Sequence, residues 1–473
     1  MLWSSLESLS LAAVSFVMLA MLARYLDADA FGRAAVALGV VQIACSFVES
    51  FFHDAVVQRK GLQASDIDAA HTAGLLVALL LSGAIAAWGL LARAHAAPGD
   101  PVGAAELALW MSPSVLMAAG AAMPVAQLRR QLAMRPLAIA MAGSRLLAAI
   151  ATMVALWRGA GVWAMVLNQC LGTLLLLLAL WAVGAPRAHL TLRLAGARQL
   201  AGYAAWNSAS GLIGANLSRF FQVASGLVMP PAMVGQLSLA LRVVDMMVAV
   251  LVTGVSRVAL SRLSAAEREG GDPVTVFMVT TRRLAFVMLP VLVLIALLAE
   301  PLLGLIGRDG WGPAARLVAW FALMQALRCP LFMARDLFGA LGRPRLNVLV
   351  SVVELATLAL LLTVLHDPLV WVVRLAVSVP LGLYLLHSRF GIGTLGLLAM
   401  LRVPFAAALG MGLVMYVGLA LLGPHVAPPL ATLLVGGLAG LLLYAAFVAA
   451  LLGAPRRSAA WQLIFHHRAA GPS

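Results

Sequence analysis

The sequence predicts an all-α polytopic membrane protein of about fourteen transmembrane helices. These form two pseudo-symmetric six-helix lobes followed by two additional C-terminal helices. Three observations lead there. Of 473 residues, 63% are hydrophobic and 11% charged, and the mean hydropathy is +1.01, a balance that no soluble domain carries. Apolar runs of about 20 residues, the length that crosses a bilayer, recur along the whole chain. Finally, the chain repeats itself. Tyr25–Gln42 is echoed at Val228–Asp245, with Gly32 on Gly235 and Ala37 on Ala240, a shift of 203 positions. Trp3 falls on Trp206 and Ser15 on Ser218 in the same register. AMRP ending at Pro136 and LGRP ending at Pro344 repeat at a shift of 208, one loop-length change away. Internal repeats of this kind are typical of transporters.

The runs place helices near Leu9–Leu26, Ala34–Phe52, Thr72–Ala92, Ala104–Val125, Leu137–Trp157 and Val162–Val183, the first lobe, residues 1–184. Residues 185–199, basic and containing Pro186, form a cytoplasmic linker. The second lobe, residues 200–388, holds runs near Leu200–Met229, Val234–Val258, Phe277–Ala299, Ala314–Leu341, Leu346–Leu365 and Leu369–His387. Residues 389–453 carry the two added helices, near Val403–Leu422 and Pro429–Leu452, and residues 454–473 form a cytoplasmic tail. Alternate loops are rich in arginine, about 20 basic residues against 6 on the opposite side, so the rich side and both termini are assigned to the cytoplasm. The first apolar stretch lacks a basic leader and a small-residue cleavage site and reads as a retained helix.

The net charge of +14 is spread among loops without aromatic interleaving. Inside-positive topology accounts for it, and nucleic acid is not expected as a partner. Cys45, Cys170 and Cys329 are isolated in apolar stretches and read as buried thiols, so neither a metal site nor a disulfide is expected. GIGTLG at Gly391–Gly396 fits a dinucleotide spacing by letter but follows no strand, and there is no phosphate-loop sequence. The sequon at Asn216–Ser218 lies within a membrane run, and His466 and His467 belong to the tail.

Polar residues inside the apolar runs carry the functional information. Asn207, Gly211, Gly214, Ser218, Gln222 and Ser225 recur at steps of three and four, which puts them on one face of the seventh helix. Small residues alone describe a tight helix seam. Asn, Gln and the neighbouring Arg219 exceed what a seam needs and favour the wall of a wet cavity. Arg145, Arg219, Arg242, Arg328, Arg335 and Arg374 also lie in predicted spans, and Asp245, three residues from Arg242, is placed to neutralise it. Glu49 and Glu354 are lone acids on other helices. Internal ion pairs are the structural alternative for each arginine. Together they outnumber the acids, and a positive interior suits an anionic cargo, phosphate above all.

At these residues the chain resembles the Wzx-type polysaccharide flippases of the multidrug/oligosaccharidyl-lipid/polysaccharide transporter superfamily. The resemblance rests on AR-x-L-x-x-x-x-FG at Ala23–Gly32, its echo VGQLSLALRVVD, QRKGL at Gln58–Leu62, and the turns QLRRQLAMRP and GALGRPRL. It departs at Asp27, where the family often has a proline-containing turn. The resemblance implies two lobes around a cavity and a cargo of undecaprenyl-pyrophosphate-linked oligosaccharide. That cargo would be flipped across the bacterial inner membrane for O-antigen, capsule or exopolysaccharide synthesis, beside a polymerase and a chain-length regulator. No ATP site is visible in the sequence, so no cofactor is expected, and the driving force expected is a coupling-ion gradient, proton or sodium, or the product sink. The expected substrate-binding residues are Arg24, Arg219, Arg242, Asp245, Asn207, Ser218, Gln222, Arg145 and Arg335. A drug or cation antiporter of the same superfamily would want an acid-dominated cavity. A membrane-embedded glycosyltransferase or polymerase would want a large outward loop with paired carboxylates, and the outward acids here, Asp27, Asp29 and Asp309, sit in short turns.

Overall fold

A computed structural model of the chain describes residues 2–51, 56, 63–97, 101–186, 188–191, 212–268, 270–307, 310–422 and 428–452. Asn207, Gly211, Trp206, the QRKGL stretch, most of the linker and the tail lie outside them. Among the described residues all regular structure is helical, as backbone groups in hydrocarbon require. The helices are α1 (Leu2–Tyr25), α2 (Ala28–Phe51), α3 (Ala64–Ala94), α4 (Ala104–Met111), α5 (Pro113–Arg130), α6 (Met134–Trp157), α7 (Trp163–Ala182), α8 (Leu217–Val228), α9 (Pro231–Arg268), α10 (Pro273–Leu297), α11 (Ala299–Ile306), α12 (Gly312–Leu327), α13 (Ala334–Ala340), α14 (Pro344–Leu365), α15 (Val370–Val373), α16 (Leu375–Phe390), α17 (Thr394–Leu422) and α18 (Pro429–Leu452).

Among the described residues, eleven helical spans are long and apolar enough to cross a bilayer, or twelve if one bent pair is counted as a span. The expected count of fourteen is thus not confirmed among the described residues. The first predicted helix shows Val14–Tyr25 as a shorter apolar helix, and the seventh is described in its second half, around α8. The tenth is not one helix. It bends by 53° between α12 and α13 at a short 3-10 turn, Cys329–Leu331. Pro330 lies in this turn, and its ring and missing N–H oppose a continuous helix.

Packing divides the molecule into two compact units, residues 1–242 with 347–374, and residues 243–346 with 375–473. In the first, α6 lies along α7 and α1, while α2 packs on α4, α5 and α8. Leu128, Leu137, Ala140 and Leu180 join α5, α6 and α7 in one buried cluster. In the second, α10 packs on α12 and α17, and α18 closes against α17 and α11. Many leucines face outward, such as Leu80 on α3 (74% exposed) and Leu434 on α18 (65%), as spans in contact with lipid require. The N-terminus of α10 is capped by Asp272, whose carboxylate accepts from the Val274 and Thr275 amides at 2.9 and 3.1 Å. A bond from the Thr275 hydroxyl, with these two, holds that carboxyl below the usual range.

The two copies of the repeated stretch meet in the first unit. A Cβ on Gly32 would stand 1.8 Å from the Pro231 carbonyl oxygen, and a Cβ on Gly235 1.9 Å from that of Ala28. Ala28 and Gly32 are four residues apart, as are Pro231 and Gly235. Each glycine thus faces the partner helix one turn before its own counterpart, the relation a local two-fold axis gives. The other repeated pair of turns also ends alike. Leu132 and Gly342 have φ of 57° and 65°. The Ala133 amide donates to Leu128 O, and the Arg343 amide to Phe338 O, closing helix C-caps of the same kind, set two residues later in the second copy.

Candidate functional site

The site grows from a polar stripe on an otherwise apolar helix. On α2, Gly39, Gln42, Ser46 and Glu49 lie three or four residues apart and share a face. α8 packs against this face, with Val223 over Gly39. The chain enters α8 through Asn216, which is buried and not in helical geometry. Its side-chain NH₂ donates to Leu212 O at 2.9 Å. That leaves the carboxamide oxygen aimed at the stripe, where it accepts from the Ser46 hydroxyl at 3.2 Å and from Nη1 of Arg219. Nε of Arg219 donates to the Gln42 carboxamide oxygen at 2.8 Å.

Two neutral amide oxygens on different elements therefore fix the plane of the Arg219 guanidinium. Such bonds hold the guanidinium in one orientation. Arg242, half-buried on α9, lies over the Phe31 ring with its guanidinium carbon 5.3 Å from the centroid. Phe31 is fully buried, so this cation–π contact is well desolvated. Both guanidinium groups are thus held by side chains of α2, Arg219 by Gln42 and Arg242 by Phe31. A pair of oriented cations inside hydrocarbon can bind a dianionic group such as phosphate through planar donor forks.

A second cationic arrangement in this unit has a different character. Arg374, 0% exposed, sits at the break between α15 and α16, with Nη1 2.9 Å from the Glu354 carboxylate of α14. Its guanidinium lies 3.8 Å from the Trp371 ring centroid, and Trp371 stacks on Phe221 of α8 at 5.0 Å. Aromatic faces and a carboxylate enclose this arginine, so its charge is neutralised in place.

Of the expected site residues, Arg219 and Arg242 lie on α8 and α9, each against a side chain of α2. Gln222 is buried against α2, its Oε1 near Gly39, so this part of the polar face of α8 is a seam. Ser218 is half-buried on α8, and Asp245 is half-buried on α9. Arg24 and Arg145 are exposed on α1 and α6, and Arg335 is exposed on α13 in the second unit. Asn207 lies outside the described residues. Sequence reasoning did not pick out Gln42, Ser46 and Asn216 as the frame of Arg219. Gln42 closes the repeated stretch and Ser46 follows it by one turn, which is the signal that was available. Glu354 was read as a lone acid, whereas it is the partner of Arg374. Among the described residues, no three His, Cys, Asp or Glu side chains gather as a metal site would.

The comparisons with known proteins agree with this architecture. The family model for polysaccharide biosynthesis proteins matches residues 21–316. No curated protein matches the sequence as a whole. Among solved structures, the chain is similar to the lipid II flippase MurJ in an inward closed conformation. The TM-score is 0.78 at 13% identity, covering 97% of this chain and 99% of that one. It is also similar to an inward-facing multidrug resistance MATE transporter of the MOP superfamily, with TM-score 0.55, 15% identity, and 94% and 98% coverage. A eukaryotic MATE transporter gives TM-score 0.55 at 14% identity, with 85% and 95% coverage. At such identities the likeness is one of fold. The chain therefore belongs to the family of polysaccharide biosynthesis proteins, multi-pass membrane proteins here built on the helical fold shared by MurJ and the MATE transporters.

Proposed function

We propose that the protein is a flippase that moves a lipid-linked oligosaccharide across the bacterial inner membrane, gripping its pyrophosphate with Arg219 and Arg242. The observation that carries this reading is the Arg219 guanidinium, held by the Gln42 and Asn216 carboxamides, with Arg242 over Phe31 of the same helix α2. Family membership supports polysaccharide assembly as the pathway, and the MurJ-like fold supports transport of a lipid-linked substrate. In this reading the undecaprenyl-pyrophosphate carrier presents its anion to the arginines while the prenyl chain stays in lipid. The repeat units feed O-antigen, capsule or exopolysaccharide synthesis by a polymerase with its chain-length regulator. A proton or sodium gradient, or consumption of the product, supplies the driving force. The halves at 1–184 and 200–388 are then descendants of one duplicated unit, a view supported by the reciprocal contact of Gly32 and Gly235.

The test is Arg219→Ala and Arg242→Ala, each beside its Arg→Lys variant. We expect normal amounts of folded protein in all four. Export should fall at least about tenfold in the Ala variants, with lipid-linked units accumulating on the cytoplasmic side, as loss of a charge-assisted bond implies. Lys keeps charge but loses the fork and should fall between. Full export in both Ala variants at normal abundance would remove these arginines from the mechanism.

Orientation is tested separately. Reporter fusions at Arg130, Arg193 and Arg283 should report cytoplasm, and fusions at Asp100 and Asp309 periplasm. A periplasmic signal at Arg193 would overturn the topology, both termini included.

A further inference from the structure

In the second unit, three helices come together around a cleft that plays no part in the site described above. α10 contributes Arg282, α17 contributes Met400, Arg402 and Val403, and α18 contributes its last two residues, Leu451 and Leu452. The cleft encloses about 300 Å³. Its position follows from helix geometry. At 1.5 Å per residue, Arg282 lies about 13 Å along α10 from Pro273, and Arg402 about 12 Å along α17 from Thr394. α18 runs the other way and ends at the same level. The cleft therefore opens near one end of three membrane spans, within reach of the lipid headgroup layer for a long arginine side chain.

The chemistry of its walls is divided. Met400, Val403, Leu451 and Leu452 offer an apolar surface suited to an acyl or prenyl chain. Arg282 is half-buried, with its guanidinium carbon 5.8 Å from the Phe286 ring centroid. Arg402 is exposed, whereas its neighbour Leu401 is fully buried, so the arginine stands on the outward side of α17. Among the described residues, no carboxylate forms an ion pair with either one. Two like charges at the edge of hydrocarbon need an anion. A phosphate held by two guanidinium forks, with its hydrocarbon chain on the apolar wall, satisfies both halves of the cleft.

We propose that this cleft is a binding site for the phosphate of an anionic membrane lipid, set by Arg282 and Arg402 and separate from the Arg219 site. The shared chemistry is a phosphate ester on a long hydrocarbon chain, and either a glycerophospholipid or a polyprenyl phosphate supplies it.

The experiment uses the purified full-length protein in neutral detergent, with bound lipid read by native mass spectrometry and stability by thermal melting. The probes are phosphatidylglycerol, phosphatidylcholine of the same chains, undecaprenyl phosphate and inorganic phosphate. We expect phosphatidylglycerol or undecaprenyl phosphate to bind and raise the melting temperature above the effect of phosphatidylcholine, and the stronger of the two identifies the source. R282Q/R402Q should weaken that lipid at least about tenfold, as loss of charge-assisted bonds implies. R402Q alone, at an exposed side chain that leaves the fold intact, should show part of the loss. Wild-type affinity in both R402Q and R282Q/R402Q, equal binding of phosphatidylcholine, or an equal effect of inorganic phosphate would each overturn the proposal.

Discussion

Gly32→Ala and Gly235→Ala should each sharply reduce both the thermal stability and the export activity of the protein. A new Cβ would lie 1.8 Å from Pro231 O in the first case and 1.9 Å from Ala28 O in the second. Carbon and oxygen in ordinary contact stand well beyond 3 Å apart, so the helices would have to separate by about 1.5 Å or more. Both obstacles are backbone, which cannot rotate aside as a flexible side chain does. Overpacking a tight contact costs about 1–3 kcal/mol, and these cases belong at the upper end. Because the contact is reciprocal, the two effects should not add. Once one methyl group has parted α2 from α9, the second finds room. A double-mutant cycle by thermal melting should thus show strong coupling. Simple additivity, or melting curves and export matching those of the parent, would mean that the contact between the two repeats does not hold these helices.

Arg374→Met and Glu354→Gln should each destabilise the protein by about 3–5 kcal/mol, because either change strands a buried charge or a buried polar group. The pair is 0% and 5% exposed, with 2.9 Å between Nη1 and Oε1. Replacing both, as R374M/E354L, should recover most of the loss, since an apolar pair of similar volume needs no counter-ion. Export should return with stability, which is the behaviour of a structural ion pair. A double variant that folds to normal amounts yet exports nothing would instead place Glu354 or Arg374 in transport. Arg374 and Arg219 differ in what surrounds them. One arginine is enclosed by a carboxylate and an indole, while the other is oriented by two amides. Removing the first should lower the amount of protein, and removing the second should lower only its work.

These experiments also separate what one sequence determines from what a tertiary structure decides. Hydropathy alone determined that the chain is helical and crosses the membrane many times, since in hydrocarbon the helix is the one isolated element whose backbone bonds are all internal. The repeat determined that Gly32 and Gly235 are equivalent. Helical spacing also located the arginines that needed partners. None of this says which helix lies opposite which. In a soluble protein an apolar stripe marks the inward face, but lipid is as apolar as the interior, so a membrane helix such as α3 does not announce its buried side. The structure alone decided that Glu354 belongs to Arg374, that Gln42 and Asn216 belong to Arg219, and that Arg145 and Arg335 are exposed. It also broke the predicted tenth helix near Pro330 and put Gln222 into a seam with α2. Periodicity fixes the direction of a side chain around its own axis, whereas a partner is fixed by helix packing, which depends on contacts between residues far apart in the chain.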